Sequence, residues 1–533
     1  MKKAFVLVLS ALTFYSIKAQ VTDKDILVGQ SCTSIMVGKN ASADGSVITS
    51  HTCDGRYRTW MSMEPAQDFE KGAKHTVYRG TMHTTHKGDT TGVKIVGYIP
   101  EVSHTYSYLN TAYPCMNEKQ LCIGESTFGG PDTLYNDKGL FTIEELQRVA
   151  LQRCDNVRDA IKLIGELIKE YGYGDGGECI TIADKQEVWQ MEIIGAGKNK
   201  IGGVWVAKRV GDDEVAVSCN IPRIGKLERG SKDFMCSDNV EKVAKDNGLW
   251  DGKGEFVFWK AYNTDYANGK NFLEREWYIL STLDPSLNLN MDMAELPFSV
   301  KPEKKVSARD VMQLLRATYE GTQYDMCKNL KTVVNKKDSL GNSYKDTIIS
   351  PIANPWMGTT MRNTFNYLDS NAVEFHRGVS VAWCSYSFVS QSRSWLPDEV
   401  GGICWISADN PAESPRIPIF AGNTTLPKAM GFCGQKECRD DAWIWNYRKA
   451  NKLATVSWQS TKKIINNEVQ KQENDAFEGL ENLENKVKDK ISSGKKDEAK
   501  ELLNKYTNTT YIETSAAWKE LENKLWQRFS MGF

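Results

Sequence analysis

The feature that most constrains the fold is a strand–turn–strand pattern that begins at Cys32. The residues that follow this cysteine, 33–37, are mostly apolar or β-branched. Residues 43–46 (Ala-Asp-Gly-Ser) are typical of a chain reversal, and residues 47–51 form a second strand-like run. We therefore predict a β-hairpin that extends from Cys32 to about residue 54.

Pairing of these two strands has a consequence for the neighbours of Cys32. If the strands pair across the turn at 39–45, Cys32 lies opposite residues near 52. The side chains of Cys53, Asp54 and Arg56 then lie beside Cys32 at the end of the hairpin.

The first residues of the chain have the layout of a secretory signal peptide. Lys2 and Lys3 give a positive start, residues 4–17 form an apolar core, and Ala19-Gln20 offers a cleavage point after a small residue. We predict a signal peptide over 1–19, a pro-segment over 20–31, and export to the periplasm or the cell exterior. The apolar core is shorter than the roughly 20 residues of a membrane-spanning helix, and no later stretch approaches that length. An uncleaved N-terminal anchor is the alternative.

Composition and charge exclude several classes of function. The chain of 533 residues has a formal net charge of -1, so its charge gives no reason to expect binding to nucleic acid or to an anionic membrane. Nucleic-acid-binding motifs and glycine-rich phosphate loops are absent from the sequence. We predict no nucleic-acid partner, no membrane span and no cofactor. Assembly into a homo-oligomer stays open.

The cysteines predict at least one free thiol. There are 13 of them, an odd number for an exported chain, and Cys32 is the candidate for the unpaired one. Cys433 and Cys438 are the best local pair, and they form either a disulfide or two free thiols. A zinc site would need further Cys or His residues nearby, but the six histidines lie elsewhere in the sequence. We therefore predict no metal site.

Helical and strand-like patterns follow one another as in a layered α+β domain. Residues 142–145 match a capping box that opens a helix ending near Cys154, and Asn156 starts a second helix that stops at Gly172. From residue 441 onward, charged helix-forming sequence predicts solvated helices that cover the core. The other predicted elements are strands at 179–182, 188–193, 204–207, 214–218 and within 379–420, and helices at 307–319 and 514–529.

Cys32 has a plausible chemistry if proteolysis makes it the first residue of the mature chain. A free thiol has a pKa near 8.5 and an α-amino group one of about 7.7–8.0, so the new amine can accept the thiol proton. One residue then supplies both the nucleophile and the general base, and hydrolysis proceeds through a thioester. The alternative from the local sequence is a buried strand cysteine without a catalytic role.

Residues 32–46 (Cys-Thr-Ser-Ile-Met-Val-Gly-Lys-Asn-Ala-Ser-Ala-Asp-Gly-Ser) closely resemble the start of the mature chain in the dipeptidases of the N-terminal nucleophile (Ntn) hydrolase superfamily. The resemblance continues in the same order to about residue 460. It implies a four-layer αββα sandwich whose central strands include the Cys32 hairpin, and cleavage of dipeptides that have a free amino end. We therefore predict a dipeptidase domain over 32–440 and a C-terminal helical region over 441–533, packed on the core. Further matching stretches are residues 108–114, 117–121, 124–128, 143–146, 171–174 and 401–405.

The wider superfamily, which includes bile-salt and penicillin acylases, implies supporting residues. Asp54 matches an aspartate that contacts the amine of the nucleophile, and Asn220 matches an oxyanion-hole asparagine in an Asn-x-Pro strand end. His51 stands where the bile-salt type has an arginine, so Arg56 or Arg58 is the candidate to replace that arginine. The competing structural roles are a turn carboxylate for Asp54, a strand-end cap for Asn220, and surface or structural roles for the two arginines.

Substrate binding is predicted for Arg56 and Asn117. Glu125 lies in a matching stretch, with no role assigned to it.

Two other functions compete with the dipeptidase: an N-acyl amide hydrolase that uses the same nucleophile, and an exported binding protein without catalysis.

Overall fold

The structure is a computed structural model that describes residues 31–263, 270–291 and 296–532. The predicted signal peptide (1–19) and the pro-segment up to residue 30 lie outside the described residues. Ser31 is therefore the first residue whose surroundings are described, and it is still bonded to Cys32.

The described residues contain 21 strands. They are β1 (Ser34–Val37), β2 (Val47–Asp54), β3 (Ser62–Glu64), β4 (Gln67–Asp68), β5 (Lys74–Arg79), β6 (Lys94–Pro100), β7 (His104–Thr105), β8 (Tyr108–Asn110), β9 (Met116–Asn117), β10 (Cys122–Gly129), β11 (Gly177–Ala183), β12 (Val188–Gly195), β13 (Gly203–Arg209), β14 (Val215–Ser218), β15 (Phe234–Cys236), β16 (Ser299–Val300), β17 (Lys331–Lys337), β18 (Ser343–Ile349), β19 (Cys384–Ser392), β20 (Ile403–Ala408) and β21 (Ile417–Phe420).

The same ranges contain 12 α-helices. They are α1 (Ile143–Arg153), α2 (Val157–Tyr171), α3 (Val240–Asp246), α4 (Phe258–Tyr262), α5 (Lys270–Leu283), α6 (Ala308–Leu314), α7 (Thr359–Leu368), α8 (Asp398–Gly401), α9 (Trp443–Val456), α10 (Trp458–Glu478), α11 (Leu480–Ser492) and α12 (Lys496–Arg528).

Two antiparallel sheets form the centre of the fold. The first has the strand order β16-β14-β1-β2-β19-β20-β21, and the second has the order β15-β13-β12-β11-β10-β9-β8-β3. The predicted hairpin is confirmed as β1 and β2, in the middle of the first sheet. Helices α5 and α6 contact the first sheet, whereas α1 and α2 contact the second. The fold is thus mixed α and β, as the sequence predicts.

The two sheets pack against each other through β2, which contacts β10 and β11. All eight residues of β2 are buried. Thr49 Oγ1 lies 2.6 Å from Thr181 Oγ1 across the interface. A Cβ atom at Gly124 would lie 2.4 Å from the carbonyl oxygen of Ser50, so this close approach of backbones requires glycine.

Local signals predicted the first two helices well, except for one cap. Asn156 accepts a hydrogen bond from the Asp159 N–H and begins α2, as predicted. The capping box of α1 is wrong, because Thr142 makes no side-chain cap and Glu145 pairs with Arg148 at 2.6 Å. The carboxylate of Asp175 accepts the Ile143 N–H at 3.3 Å instead.

The C-terminal helices pack on the core. Helix α12 contacts β21 and α9, and Trp518 belongs to the same buried cluster as Cys404 of β20. The helix predicted at 514–529 forms the C-terminal part of the longer α12. The helix predicted at 307–319 corresponds to α6, which already ends at Leu314. The boundary at 440/441 stays a prediction.

Two further findings concern cysteines and membranes. All thirteen cysteines have free thiols, so Cys433 and Cys438 form no disulfide in this structure. Among the described helices, none is both long and apolar enough to cross a bilayer.

Candidate active site

Cys32 lies at the end of the hairpin, as its sequence pattern predicts. Thr33 and Thr52 form an antiparallel bridge, in which the Thr52 N–H donates to Thr33 O at 2.9 Å. The Thr33 N–H donates to Thr52 Oγ1, also at 2.9 Å. Cys32 therefore precedes the first paired residue and is only 1% exposed.

A buried ion pair lies beside the bond between Ser31 and Cys32. Arg377 Nη2 donates to Asp54 Oδ2 and to the carbonyl oxygen of Ser31. The side chains of Arg377 and Asp54 are both fully buried. Thr52 Oγ1 donates to the same Asp54 oxygen at 3.1 Å. One guanidinium thus joins the end of β2 to the peptide bond that precedes the candidate nucleophile.

A second buried arginine joins Cys32 to Asn220. Arg275 Nη1 donates to the carbonyl oxygen of Cys32 and, at 2.9 Å, to Thr33 Oγ1. Arg275 Nη2 donates to Asn220 Oδ1 at 2.9 Å. Asn220 Nδ2 donates to Thr127 O at 2.6 Å, and Asn220 has a positive φ of 66°. The amide of Asn220 is therefore held with its oxygen toward Arg275 and its nitrogen toward β10.

The sulfur of Cys32 faces a carboxyl group and an imidazole. Its Sγ lies 3.4 Å from Glu125 Oε1, and His51 Nε2 lies 3.6 Å from the same oxygen. His51 Nδ1 hydrogen bonds to the carbonyl oxygen of Glu125 at 2.9 Å. All three side chains are buried. Cys32 precedes β1 by two residues, His51 belongs to β2 and Glu125 belongs to β10.

Burial controls the protonation of these groups. It raises the pKa of the Cys32 thiol well above its usual range, and nearby Glu125, Cys53 and Asp54 raise it further. Burial also raises the pKa of Glu125 to about 8 and lowers the pKa of His51 to about 4. In the uncut chain at neutral pH, therefore, Cys32 is a thiol and His51 is uncharged.

Cys32, His51 and Glu125 are also the residues that could hold a metal ion. One donor atom from each lies within 4.8 Å of the others, and no second group of this kind occurs in the described ranges. The set contains sulfur, nitrogen and oxygen, which zinc accepts. The absence of a metal site stays a prediction from sequence.

The structure brings three of the predicted site residues together and leaves two apart. Cys32, Asp54 and Asn220 are linked through the two buried arginines. Arg56 is exposed. The amide of Asn117 is used by four main-chain groups, the carbonyl oxygens of residues 151 and 154 and the N–H groups of residues 119 and 121. The catalytic and substrate-binding roles stay predictions.

The arginine beside Asp54 is neither of the two that the sequence suggested. Arg58 is buried, but it donates to Asn110 Oδ1 at 2.7 Å and stacks 3.7 Å above the ring of Trp60. Arg377 is 323 residues from Asp54 in the chain, so no local pattern connects the two. For Glu125, by contrast, the sequence did offer a signal, because this residue lies in one of the stretches that match the dipeptidases.

The class of protein follows from a comparison with known families. The sequence profile of peptidase family C69 matches residues 31–472, a segment that begins one residue before Cys32. Because the match covers most of the chain, the chain belongs to peptidase family C69 and is a peptidase. This confirms the family that the sequence motifs indicated.

Individual relatives are similar over much of their length. A probable dipeptidase of Latilactobacillus sakei is 27% identical over 406 residues, which cover 73% of this chain and 74% of the relative. A probable dipeptidase of Salmonella dublin is 25% identical and covers 74% and 81% of the two chains. Probable dipeptidase B of Streptococcus pyogenes serotype M1 is 24% identical, with coverage of 85% and 83%.

Proposed function

We propose that this peptidase is an exported cysteine dipeptidase that hydrolyses dipeptides with a free amino end. Cys32 is its N-terminal nucleophile, and the Cys32 α-amine is the general base. The names of the relatives support the substrate class. The observation that carries the mechanism is the position of Cys32 Sγ beside the buried carboxyl group of Glu125, and of the bond before Cys32 beside the buried Arg377–Asp54 pair.

Cleavage between residues 31 and 32 creates the base that the thiol lacks. Burial and the nearby acidic groups hold the pKa of the Cys32 thiol high, so the thiolate is scarce without an adjacent proton acceptor. The new α-amine is attached to the same residue and takes the thiol proton directly or through one water. Asp54 Oδ1 is buried and lacks a hydrogen-bond partner among the described residues, which supports a role in holding that amine.

The reaction then follows the pattern of acyl transfer. The thiolate attacks the carbonyl carbon of the dipeptide, and Asn220 with backbone N–H groups stabilises the oxyanion. The protonated α-amine gives its proton to the leaving amino acid, and a thioester remains on Cys32. Water, deprotonated by the same amine, attacks the thioester and releases the second amino acid.

The proposal extends to the fold and the location of the protein. The contacts of β2 with β10 and β11, with helices against both sheets, support a four-layer αββα Ntn sandwich. The signal-peptide pattern of residues 1–19 supports export. The 20–31 segment is then removed by the enzyme itself or by another protease.

Two measurements on the native protein test the function. Mass spectrometry of the mature N-terminus should find Cys32 as the first residue. Free dipeptides should be hydrolysed faster than their N-acetylated forms. A mature chain that begins upstream of Cys32 would contradict the amine-as-base mechanism, and a preference for acylated substrates would instead favour the N-acyl amide hydrolase.

A pair of cysteine variants separates catalysis from packing. Cys32→Ala should abolish turnover and keep the melting temperature near that of the wild type. Cys404→Ala, at another buried cysteine, is the matched control and should keep its turnover. Residual dipeptidase activity in Cys32→Ala would exclude Cys32 as the nucleophile.

A further inference from the structure

One buried glutamate, Glu125, contacts the sulfur of Cys32, and a second, Glu178, lies on the neighbouring strand. Glu125 belongs to β10 and Glu178 to β11, and both are at most 2% exposed. Glu178 pairs with Thr127, two residues from Glu125, so the two glutamates are diagonal neighbours on one face of the sheet. Thr127 Oγ1 donates to Glu178 Oε1 at 2.8 Å.

These carboxyl groups have few partners for their burial. Neither Glu125 Oε2 nor Glu178 Oε2 receives a hydrogen bond from any other described residue, and the two carboxyl groups are close enough to share a hydrogen bond with each other. No lysine or arginine within the described ranges forms an ion pair with either group. The neighbouring His51 is uncharged at neutral pH, because burial lowers the pKa of its imidazole to about 4. Without a cation the pair holds protons, because burial raises the pKa of Glu125 to about 8 and that of Glu178 well above its usual range. A positively charged ligand favours the ionised carboxylates, so the pair is suited to one.

We infer that Glu125 and Glu178 form the subsite for the ammonium group of the substrate. This inference rests on the proposed function and assigns residues to the recognition of the free amino end. The ligand class is a primary ammonium attached to the carbon next to the scissile carbonyl.

The geometry of the reaction sets where that ammonium must lie. In a dipeptide, two bonds separate the amino nitrogen from the attacked carbonyl carbon, a distance of about 2.5 Å. The attacking sulfur approaches that carbon to about 3–3.5 Å. The ammonium group therefore lies within about 6 Å of Cys32 Sγ. Glu125 Oε1, at 3.4 Å from the sulfur, is within hydrogen-bonding reach of that position.

The charge of the subsite explains why the enzyme should prefer substrates that have a free amino group. An ammonium ion donates up to three charge-assisted hydrogen bonds to carboxylates, which offsets the cost of burying both charges. An N-acetylated or deaminated substrate has no such cation and leaves the carboxyl oxygens unpartnered. The enzyme should therefore select substrates by their amino group as well as by the peptide bond.

Glu178→Gln is the sharpest variant, because Glu178 does not contact the sulfur. The substrates are a free dipeptide and its deamino analogue, in which hydrogen replaces the N-terminal amino group. We expect the variant to raise KM for the free dipeptide at least tenfold, with little change in kcat. Its preference for the free dipeptide should fall at least tenfold. Glu178→Asp, which keeps the charge, should recover part of the preference.

Glu413→Gln is the matched control, since Glu413 is also a buried glutamate and accepts a hydrogen bond from Asn410. It should keep the wild-type preference. An unchanged preference in folded Glu178→Gln would overturn the subsite, whereas a wild-type enzyme that does not hydrolyse free dipeptides would overturn the proposed function itself.

A measurement on the wild-type enzyme does not depend on the folding of any variant. A free amino acid and its deamino analogue are compared as competitive inhibitors. The subsite predicts at least tenfold tighter binding of the amine-bearing compound. Equal inhibition constants would contradict the subsite.

Discussion

At the scale of single residues, Arg377 connects the end of the hairpin to the peptide bond before Cys32. It binds Asp54, the carbonyl oxygen of Ser31 and the carbonyl oxygens of Gly378 and Val379. Its own N–H donates to Glu274 Oε2 at 3.1 Å, which holds the loop that carries it. A fully buried ion pair of this kind positions the hairpin end more than it stabilises the protein.

Removing Arg377 should leave a buried carboxylate without its partner. We expect Arg377→Gln to lower the free energy of unfolding by about 3–5 kcal/mol. The double variant with Asp54→Asn should recover part of that loss, because the uncompensated charge is gone. Urea unfolding of the single and double variants measures both effects. Lys242→Gln, which breaks the exposed pair with Asp246, is the control and should change little.

Asn220 combines a strained backbone with a predicted catalytic amide. Its φ of 66° lies in the left-handed region, which glycine adopts freely and alanine does not. Asn220→Gly and Asn220→Ala should both lower kcat by about 10²–10³-fold, if the amide stabilises the oxyanion. Only the alanine variant should also lose about 1 kcal/mol of stability through strain.

Kinetics and thermal unfolding of the two Asn220 variants separate these effects. Full activity in Asn220→Gly would mean that the side chain serves only as a structural cap.

At the scale of secondary structure, the turn that follows β1 leaves no room for a side chain at Gly38. A Cβ atom there would lie 2.2 Å from the carbonyl oxygen of Gly211 and 2.6 Å from that of Asp212. The backbone cannot easily yield, because Asp212 O accepts the N–H groups of Asn40 and Ala41 at 2.8 Å. Gly38 is thus fixed by the close approach of two backbones.

Gly38→Ala should therefore destabilise the hairpin that carries Cys32. We expect a loss of about 3 kcal/mol in the free energy of unfolding, at the upper end of the range for overpacked sites. Gly431→Ala, where a Cβ atom meets nothing within 4 Å, is the control and should change stability little. Equal midpoints of urea unfolding for the two variants would contradict the predicted clash.

Helix α12 provides a second test at this scale. Trp518 is fully buried and donates to Asn451 Oδ1 at 2.9 Å, whereas Trp526 on the same helix is 51% exposed. Trp518→Ala should lower the free energy of unfolding by about 3–5 kcal/mol, and Trp526→Ala should have a small effect. A single unfolding transition in Trp518→Ala would indicate that the C-terminal helices unfold together with the sheets.

At the scale of the whole molecule, buried carboxyl groups make stability depend on pH. Burial raises the pKa of Glu125, Glu144, Glu192 and Glu413 to about 8 each. In the unfolded chain a glutamate has a pKa near 4.3. Between these values the folded state holds protons that the unfolded state has released, so stability falls as pH rises from about 4.3 to 8.

Glu144→Gln should reduce this dependence. Each such group contributes a slope of about 1.4 kcal/mol per pH unit in that window, and glutamine removes one of them. Urea unfolding at pH 6 and pH 8 should show a smaller loss of stability in Glu144→Gln than in the wild type. Glu513→Gln, at an exposed position, should keep the wild-type slope.

Local sequence was sufficient for much of the framework. The apolar runs around a reversal signal predicted β1 and β2, and Asn156 predicted the start of α2. The same hairpin register placed Asp54 near Cys32. Strand pairing across a short turn and helix capping involve residues close in the chain, so their residue types carry the information. The capping box at Thr142 failed because a distant carboxylate, Asp175, supplies the cap.

The sequence by itself determined the hairpin, the position of Cys32 at its end, and the family. Only the tertiary structure decided which charged groups surround that cysteine. Arg275 and Glu125 lie 243 and 93 residues from Cys32 in the chain, and packing of the sheets and helices brings them to it. Such contacts depend on how whole layers stack, and no spacing of residue types within one segment encodes that arrangement.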